Sequence, residues 1–268
     1  FQMKAKQPKN INKKTNKNTN KLKENFMKIG IMVPFWIEIT MEKRLQLLKK
    51  AGFDCFMMSL DREHEKWTAM CAEIGLEISS GHAPYKDPDI NEFWQNGETG
   101  DQIEQVFIQT IEFAAKHKIK TVVFHLHFET DYSLTTIGLN RLQRMVEVAE
   151  RLEVNIAIEN LYSRDELDYI FKNIKSDRLG MCYDTGHENF LTPKAGFLEK
   201  HPNKLFCLHL HDNDGIKDQH KTLFTGTVDW TNFAKHYNNA NQVNLDAEVR
   251  INRPEGKTIS TEQDLFDL

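Results

Sequence analysis

The chain has 268 residues, enough for one large α/β domain with a sizeable core. Its hydrophobic content of 40% and charged content of 28% are ordinary for a soluble globular protein. No apolar run approaches the roughly 18 residues of a membrane span, so we expect no membrane-embedded part and no membrane partner.

The net charge of −4 is unevenly distributed along the chain. Residues 1–26 contain eight lysines and one acidic residue, Glu24, which gives them +7 and leaves −11 for residues 27–268. The first segment is rich in Asn and nearly free of large apolar residues, so it is predicted to be a disordered basic extension. A nucleic-acid-binding arm is the alternative interpretation, but a basic tail is more often simply solvated.

The start of the chain also suggests where the folded domain begins. Phe1 and Gln2 precede Met3 and resemble the remnant of a cleavable tag, whereas Met27 opens the first predicted strand and is a candidate natural start. The extension lacks the apolar region of a secretory signal. We therefore predict one catalytic domain over residues 27–268.

The four cysteines are scattered and form no CxxC pair. Cys55, Cys182 and Cys207 lie inside predicted apolar strands, which indicates buried, reduced thiols. This usage favours a reducing, cytoplasmic setting.

After residue 26 the pattern alternates between short apolar runs and helical periodicity. The predicted strands cover 28–33, 55–58, 76–80, 121–125, 155–159, 180–184, 205–209 and 243–249. The predicted helices cover 40–50, 62–74, 101–117, 136–152, 163–174, 193–199, 229–238 and 261–268. Eight such units predict a single-domain (β/α)₈ barrel. A doubly wound open sheet is less favoured, because no Gly-rich phosphate loop follows the first strand.

Nine Asp, Glu and His residues follow the last six predicted strands. They are His82, His125, Glu159, Asp184, His187, His209, Asp218, His220 and Glu248. In a parallel barrel the carboxyl ends of the strands meet at one mouth, so these side chains should form one metal site. A carboxylate such as Glu159 at the end of a buried strand is costly unless it is paired or bound to metal.

Bland alternatives remain for some of these residues. Asp218 and His220 are also consistent with a solvated pair in a polar loop, and His82 and His125 with a pocket lining that does not touch metal. A further set is expected only to support the ligands or to contact substrate: Tyr85, His127, His211 and Lys221.

The motifs around these residues resemble the xylose isomerase-like barrel superfamily, most closely its sugar phosphate isomerase/epimerase branch, which is related to endonuclease IV-type enzymes. The matching motifs are Ser-Gly-His82-Ala-Pro-Tyr, Ile-Ala-Ile-Glu159-Asn-Leu, Tyr-Asp184-Thr-Gly-His187, Leu-His209-Leu-His-Asp-Asn-Asp-Gly and Asp218-Gln-His220. In the epimerase branch, the resemblance implies one divalent metal held by Glu159, Asp184, His209 and Glu248. In the endonuclease branch, all nine residues would hold three zinc ions, with Glu159 bridging. The chain departs from the usual Pro-Gly-Glu-Gly stretch, because Thr225 stands where a carboxylate is expected.

The donor chemistry leads to a functional hypothesis. Mixed His and carboxylate ligands suit Mn²⁺, Zn²⁺, Co²⁺ or Fe²⁺. Such an ion would acidify the C–H between a sugar carbonyl and hydroxyl by stabilising an enediolate, while Glu159 and Glu248 transfer the proton. Trp36, His187 and Arg250 are candidate substrate contacts, and Phe35, Trp36 and Trp94 a candidate apolar wall.

We therefore predict a metal-dependent isomerase or epimerase of a sugar, sugar phosphate or polyol derivative. The main alternative is a multi-zinc phosphodiesterase acting on abasic-site DNA, which the −11 of residues 27–268 disfavours. A barrel that only binds a metal or sugar is the non-enzymatic alternative. Homo-oligomerisation, the particular sugar and the metal identity and count are left open.

Overall fold

The computed structural model of the chain describes residues 27–32, 39–60, 64–86, 89–128, 132–241 and 243–249. The predicted basic extension over 1–26 and the predicted last helix over 261–268 lie outside these residues.

Eight parallel strands form the inner layer of the described part. They are β1 (Ile29–Met32), β2 (Cys55–Ser59), β3 (Glu77–His82), β4 (Thr121–Phe124), β5 (Asn155–Glu159), β6 (Leu179–Asp184), β7 (Leu205–His209) and β8 (Leu245–Ala247). Neighbours in sequence pair side by side, and β1 also pairs with β8. Beyond β7, Leu210 N donates to Asp246 O and Glu248 N donates to Leu210 O, both at 2.9 Å. These bonds nearly close the sheet, so the predicted (β/α)₈ barrel is confirmed and the open-sheet alternative is wrong.

Helices connect successive strands. They are α1 (Met41–Lys50), α2 (His64–Ile74), α3 (Glu98–Lys116), α4 (Thr136–Leu152), α5 (Glu166–Asn173), α6 (Thr185–Phe190), α7 (Phe197–Lys200) and α8 (Trp230–Tyr237). Short 3₁₀ helices cover Ile90–Trp94 and Pro202–Lys204. Among the described residues, no helix is both long and apolar enough to cross a membrane.

The connection after β6 differs from the prediction of one helix over 193–199. Helix α6 starts directly after the strand, because the side chain of Asp184 caps it by accepting from His187 N at 2.6 Å. The predicted helix is replaced by the single turn α7, Phe197–Lys200, which begins late because Gly196 before it takes a left-handed φ of 71°. The early start of α6 places His187 beside the strand ends.

Candidate metal centre

Four residues on neighbouring strands bring their ligand atoms together at the carboxyl ends of the barrel. Glu159 ends β5, Asp184 ends β6, His209 ends β7 and Glu248 follows β8. One ligand atom from each lies within 4.8 Å of the others. The first three side chains are buried, whereas that of Glu248 is 15% exposed. The residues that the resemblance implied for one metal therefore converge.

Glu159 lies at the middle of the centre. Its Oε2 is 2.7 Å from His125 Nε2, and its Oε1 is 3.2 Å from His209 Nδ1 and 3.1 Å from His187 Nδ1. Burial alone would raise the pKa of Glu159, but His209 and His125 together reverse that effect and hold the pKa well below its usual range. Glu159 is therefore an ionised carboxylate in a buried site.

Glu248 is held ionised in the same way on the open side of the centre. Its Oε2 lies 2.9 Å from His209 Nδ1. Burial opposes ionisation, but the charges of His209 and His220 lower the pKa of Glu248. In return, Glu159 and Glu248 outweigh the burial of His209 and raise its pKa well above the usual range. A ring shared by two carboxylates retains its proton until a metal displaces it.

A second donor group joins His82 and His125 to Glu159. The Nε2 atoms of the two histidines face each other at 3.3 Å. Burial lowers the pKa of His125 to about 4, so its ring is neutral at neutral pH. A neutral imidazole offers a lone pair, which is the form that binds metal.

A third donor group joins His211, Asp218 and His220. Asp218 Oδ2 is 3.0 Å from His220 Nε2, and Asp218 Oδ1 is 3.7 Å from His211 Nε2. His187 reaches the same carboxylate at 3.9 Å. Burial would lower the pKa of His187, but Asp184 and Glu159 raise it to about 10. All nine residues predicted from the sequence therefore lie around one mouth.

His211 is more central than the sequence indicated. Its Nε2 lies 3.0 Å from Asp184 Oδ1, and it belongs to two groups of potential ligands. The ring packs against Gly186, where a Cβ atom would come within 1.9 Å of His211 Cε1. His211 comes two residues after His209, and side chains two apart on an extended segment point to the same face. This spacing was the sequence signal that His211 faces the centre.

Asn160 was not predicted, although it immediately follows Glu159. Its side chain donates to Asp184 O at 3.0 Å and accepts from Asp184 N at 2.7 Å. These two bonds fix the backbone of a ligand residue, so Asn160 positions the centre without joining it.

The donor set fits a divalent metal ion. Several buried polar atoms of the described residues lack a hydrogen-bond partner, and three of them belong to the centre: His125 Nδ1, His211 Nδ1 and Asp218 Oδ1. Buried polar groups are normally paired, so unpaired ones around a mixed His and carboxylate cluster suit transition-metal coordination. Imidazole and carboxylate groups are ligands that bind Zn²⁺, Mn²⁺ and Co²⁺.

Trp94, predicted to form part of an apolar wall of the substrate pocket, does not do so. Trp94 is fully buried and packs on Phe93, with the ring so close to Gly138 that a Cβ there would clash. It is a core residue and does not face the mouth. Phe35, Trp36 and Arg250 lie outside the described residues.

Of the other supporting candidates, Tyr85 lies beside the centre, whereas His127 and Lys221 make their contacts elsewhere. The ring of Tyr85 lies 5.1 Å from that of His82 and 5.0 Å from that of Phe128, so it forms an aromatic side of the mouth. His127 Nε2 pairs with Glu166 Oε2 at 3.1 Å, away from the donor groups. Lys221 exchanges backbone hydrogen bonds with Asp212 in the loop after β7.

The family of the chain follows from a match to the family model described as a xylose isomerase-like TIM barrel, which covers residues 45–266. The chain belongs to this family. A protein of Sinorhizobium fredii (strain NBRC 101917 / NGR234), "Uncharacterized protein y4fM", is 26% identical over 247 residues, covering 75% of this chain and 78% of that protein.

Solved structures share the fold. A D-tagatose 3-epimerase-like protein is 22% identical with a TM-score of 0.71, covering 84% of this chain and 92% of the other. The IOLI protein with a binding zinc atom is 17% identical with a TM-score of 0.72, covering 90% and 94%. At these identities the likeness shows the barrel fold.

Proposed function

We propose that the protein is a divalent-metal-dependent isomerase or epimerase of a sugar, sugar phosphate or polyol derivative. The observation that carries the proposal is the convergence of Glu159, Asp184, His209 and Glu248 within 4.8 Å at the mouth. Four ligands leave open positions on an ion with five or six ligands, which is the requirement for binding substrate. The names of a D-tagatose 3-epimerase-like protein and a zinc-binding IOLI protein among the fold relatives are consistent with this chemistry.

The exposure and charge of the four residues suggest which of them would transfer protons. A divalent ion held by the four residues would stabilise the negative charge that develops on adjacent sugar oxygens when the C–H between them loses its proton. Glu248 has the more accessible carboxylate and is held ionised, so it can accept that proton. Glu159 is the enclosed carboxylate and would return the proton, and His187, whose pKa is raised to about 10, lies 3.1 Å away and can resupply it. Return of the proton to the neighbouring carbon of the enediolate gives isomerisation, whereas return to the opposite face of the same carbon gives epimerisation.

The test measures proton exchange and does not require the natural product to be known. The chain purified without chelator is analysed for metal and then incubated with a panel of ketoses in D₂O, and deuterium at carbons next to the carbonyl is followed by NMR. We expect exchange by the unmodified protein and at least a 100-fold loss in Glu248→Gln, in keeping with general acid–base catalysis. Glu147→Gln, an exposed acid on α4, is the matched control and should retain the rate. Near-normal exchange by Glu248→Gln would show that the two-carboxylate mechanism is wrong.

A second candidate function is favoured by the overlapping donor groups of the centre. His82 and His125 share Glu159 with the four-residue group, and Asp218 and His220 group with His211. By the resemblance to endonuclease IV-type enzymes, such a set would hold three zinc ions in a phosphodiesterase acting on abasic-site DNA. The net charge of −11 on residues 27–268 opposes binding to DNA. Elemental analysis separates the two: about one ion per chain and no nicking of an abasic duplex supports the sugar enzyme. Two or more tightly held zinc ions with salt-sensitive nicking supports the phosphodiesterase.

A further inference from the structure

One buried carboxylate ties together the long loop between β7 and α8. Asp212 is fully buried. Its Oδ1 accepts from Asn213 N at 2.9 Å and from Val228 N at 3.1 Å, and its Oδ2 accepts from Trp230 Nε1 at 2.9 Å. Its backbone also exchanges two hydrogen bonds with that of Lys221, at 3.0 and 2.7 Å. Asp212 therefore joins the start, the middle and the end of the loop.

The middle of this loop carries two members of the third donor group. Asp218 Oδ2 lies 3.0 Å from His220 Nε2, and the Nδ1 atom of the same ring lies 2.9 Å from Glu248 O. The backbone of His220 takes a left-handed φ of 49°, which a residue with a Cβ keeps only where its surroundings hold it. The two bonds between Asp212 and Lys221 act on the very next residue, so they restrain that conformation.

Packing encloses the carboxylate of Asp212 as well. A Cβ atom at Gly226 would come within 2.2 Å of its Oδ1. The ring of Trp230 lies 5.0 Å from that of Phe224 and 5.8 Å from that of Phe233, which holds the indole that donates to Asp212. Two oxygens thus accept three N–H donors in a closely packed place, where a different donor pattern could not be accommodated by a small shift.

We propose that Asp212 is a positioning residue that holds Asp218 and His220 at the mouth, where they contact the substrate of the proposed sugar enzyme. The pair lies outside the four residues that would hold the one ion. Asp218 Oδ1 is buried without a hydrogen-bond partner, which suits an acceptor for a substrate hydroxyl. The inference rests on the proposed function for the substrate, whereas the positioning itself can be measured without one.

The test compares the same substitution at two positions of this loop. Asp212→Asn keeps the shape of the side chain but leaves one acceptor oxygen for three N–H donors. Asp229→Asn is the matched control, because this exposed carboxylate caps α8 and Asn caps a helix as well as Asp does. In protein as purified, labelled with ¹⁵N-histidine and without ketose, the ring signals of His220 are assigned by comparison with His220→Gln. They should move in Asp212→Asn and stay in place in Asp229→Asn, and unmoved signals overturn the inference.

Ketose exchange gives the functional measurement. Asp212→Asn should raise KM by about 10- to 100-fold, as changes to outer-shell partners do, while the rate at saturating ketose and the metal content fall much less. A parallel fall in Tm, rate and metal content with unchanged KM overturns the inference, because a merely structural role predicts it.

Trp230→Phe covers the case in which Asp212→Asn does not fold. It removes only the indole donor and should shift the same His220 signals. Added to Asp212→Asn, it should recover part of KM, because the new amide no longer faces an indole N–H, whereas strictly additive effects count against the inference. Moved His220 signals in a protein that exchanges no ketose keep the positioning role and count against the sugar chemistry. Intact exchange with unmoved signals overturns the positioning role alone.

Discussion

Arg141 offers a test of how the fold holds the connection that follows β3. Its side chain, on α4, is 2% exposed. Nη1 donates to the carbonyls of Phe93 and Gln95 at 2.6 and 2.5 Å, and Nη2 to the carbonyl of Gly97 and to Asp101 Oδ1 at 3.3 and 2.8 Å. One guanidinium therefore satisfies three backbone carbonyls between the 3₁₀ helix and α3.

The size of the effect follows from those carbonyls. Replacing Arg141 with Leu keeps an apolar stem but leaves these acceptors without a donor, at about 1–3 kcal/mol for each buried group. We expect a loss of about 3–5 kcal/mol in the free energy of unfolding. For a domain of this size that corresponds to a fall in Tm of about 6–20 °C.

The matched control is Arg151→Leu on the same helix, where the side chain is exposed. It should cost less than about 1 kcal/mol, since surface charges near a helix end contribute little. Thermal and urea denaturation followed by circular dichroism measure both variants. Similar small shifts for Arg141→Leu and Arg151→Leu would refute the reasoning, because they would mean that the carbonyls are satisfied in another way.

Three further predictions concern the centre and the chain start. Gly186→Ala should weaken metal binding about 10- to 100-fold, because the added Cβ would displace His211 from Asp184. Chelator competition measures the affinity, and an unchanged value would contradict this. Metal affinity should rise with pH by about tenfold per unit for each proton displaced, because Glu159 and Glu248 raise the pKa of His209 and the metal must compete with its bound proton. Isothermal titration at several pH values checks the sign, and affinity that falls with pH would be the wrong direction. A chain starting at Met27 should keep its Tm and metal content, because the preceding segment has few apolar groups to bury, and a Tm lower by several degrees would show that this segment docks on the barrel.

The barrel and the donor residues were predictable because both depend on local pattern. Apolar runs that alternate with helical periodicity specify β/α units, and polar residues at strand ends specify one mouth. For β5 the predicted and observed bounds agree, Asn155–Glu159. The helix after β6 was misplaced, because Asp184 acts both as a ligand candidate and as a helix cap, and the prediction used only the first role.

Side-chain burial in loops was harder to predict. Trp94 resembled a pocket wall because it follows a strand and stands in a polar loop, but a 3₁₀ turn directs it into the core beside Phe93. His211 was undervalued because it follows a stronger candidate, His209, by two residues. That spacing places it on the ligand face, but its contact with Asp184 depends on the packing of the neighbouring strand.

The charge of the centre links the number of metal ions to the kind of substrate. Its four carboxylates, Glu159, Asp184, Asp218 and Glu248, carry a formal charge of −4. One divalent ion leaves the carboxylates and metal at −2, and protonated His187 brings this to −1, so a substrate phosphate next to them would still be repelled. Three divalent ions bring the same set to +2, which attracts a phosphodiester. Under the one-ion proposal, the reacting end of the substrate is therefore expected to be a neutral carbonyl and hydroxyl pair. A phosphate, where the substrate has one, must lie away from the centre. If inorganic phosphate were to compete with a ketose at the one-ion centre, the argument from charge would fail, and the three-zinc alternative would gain support.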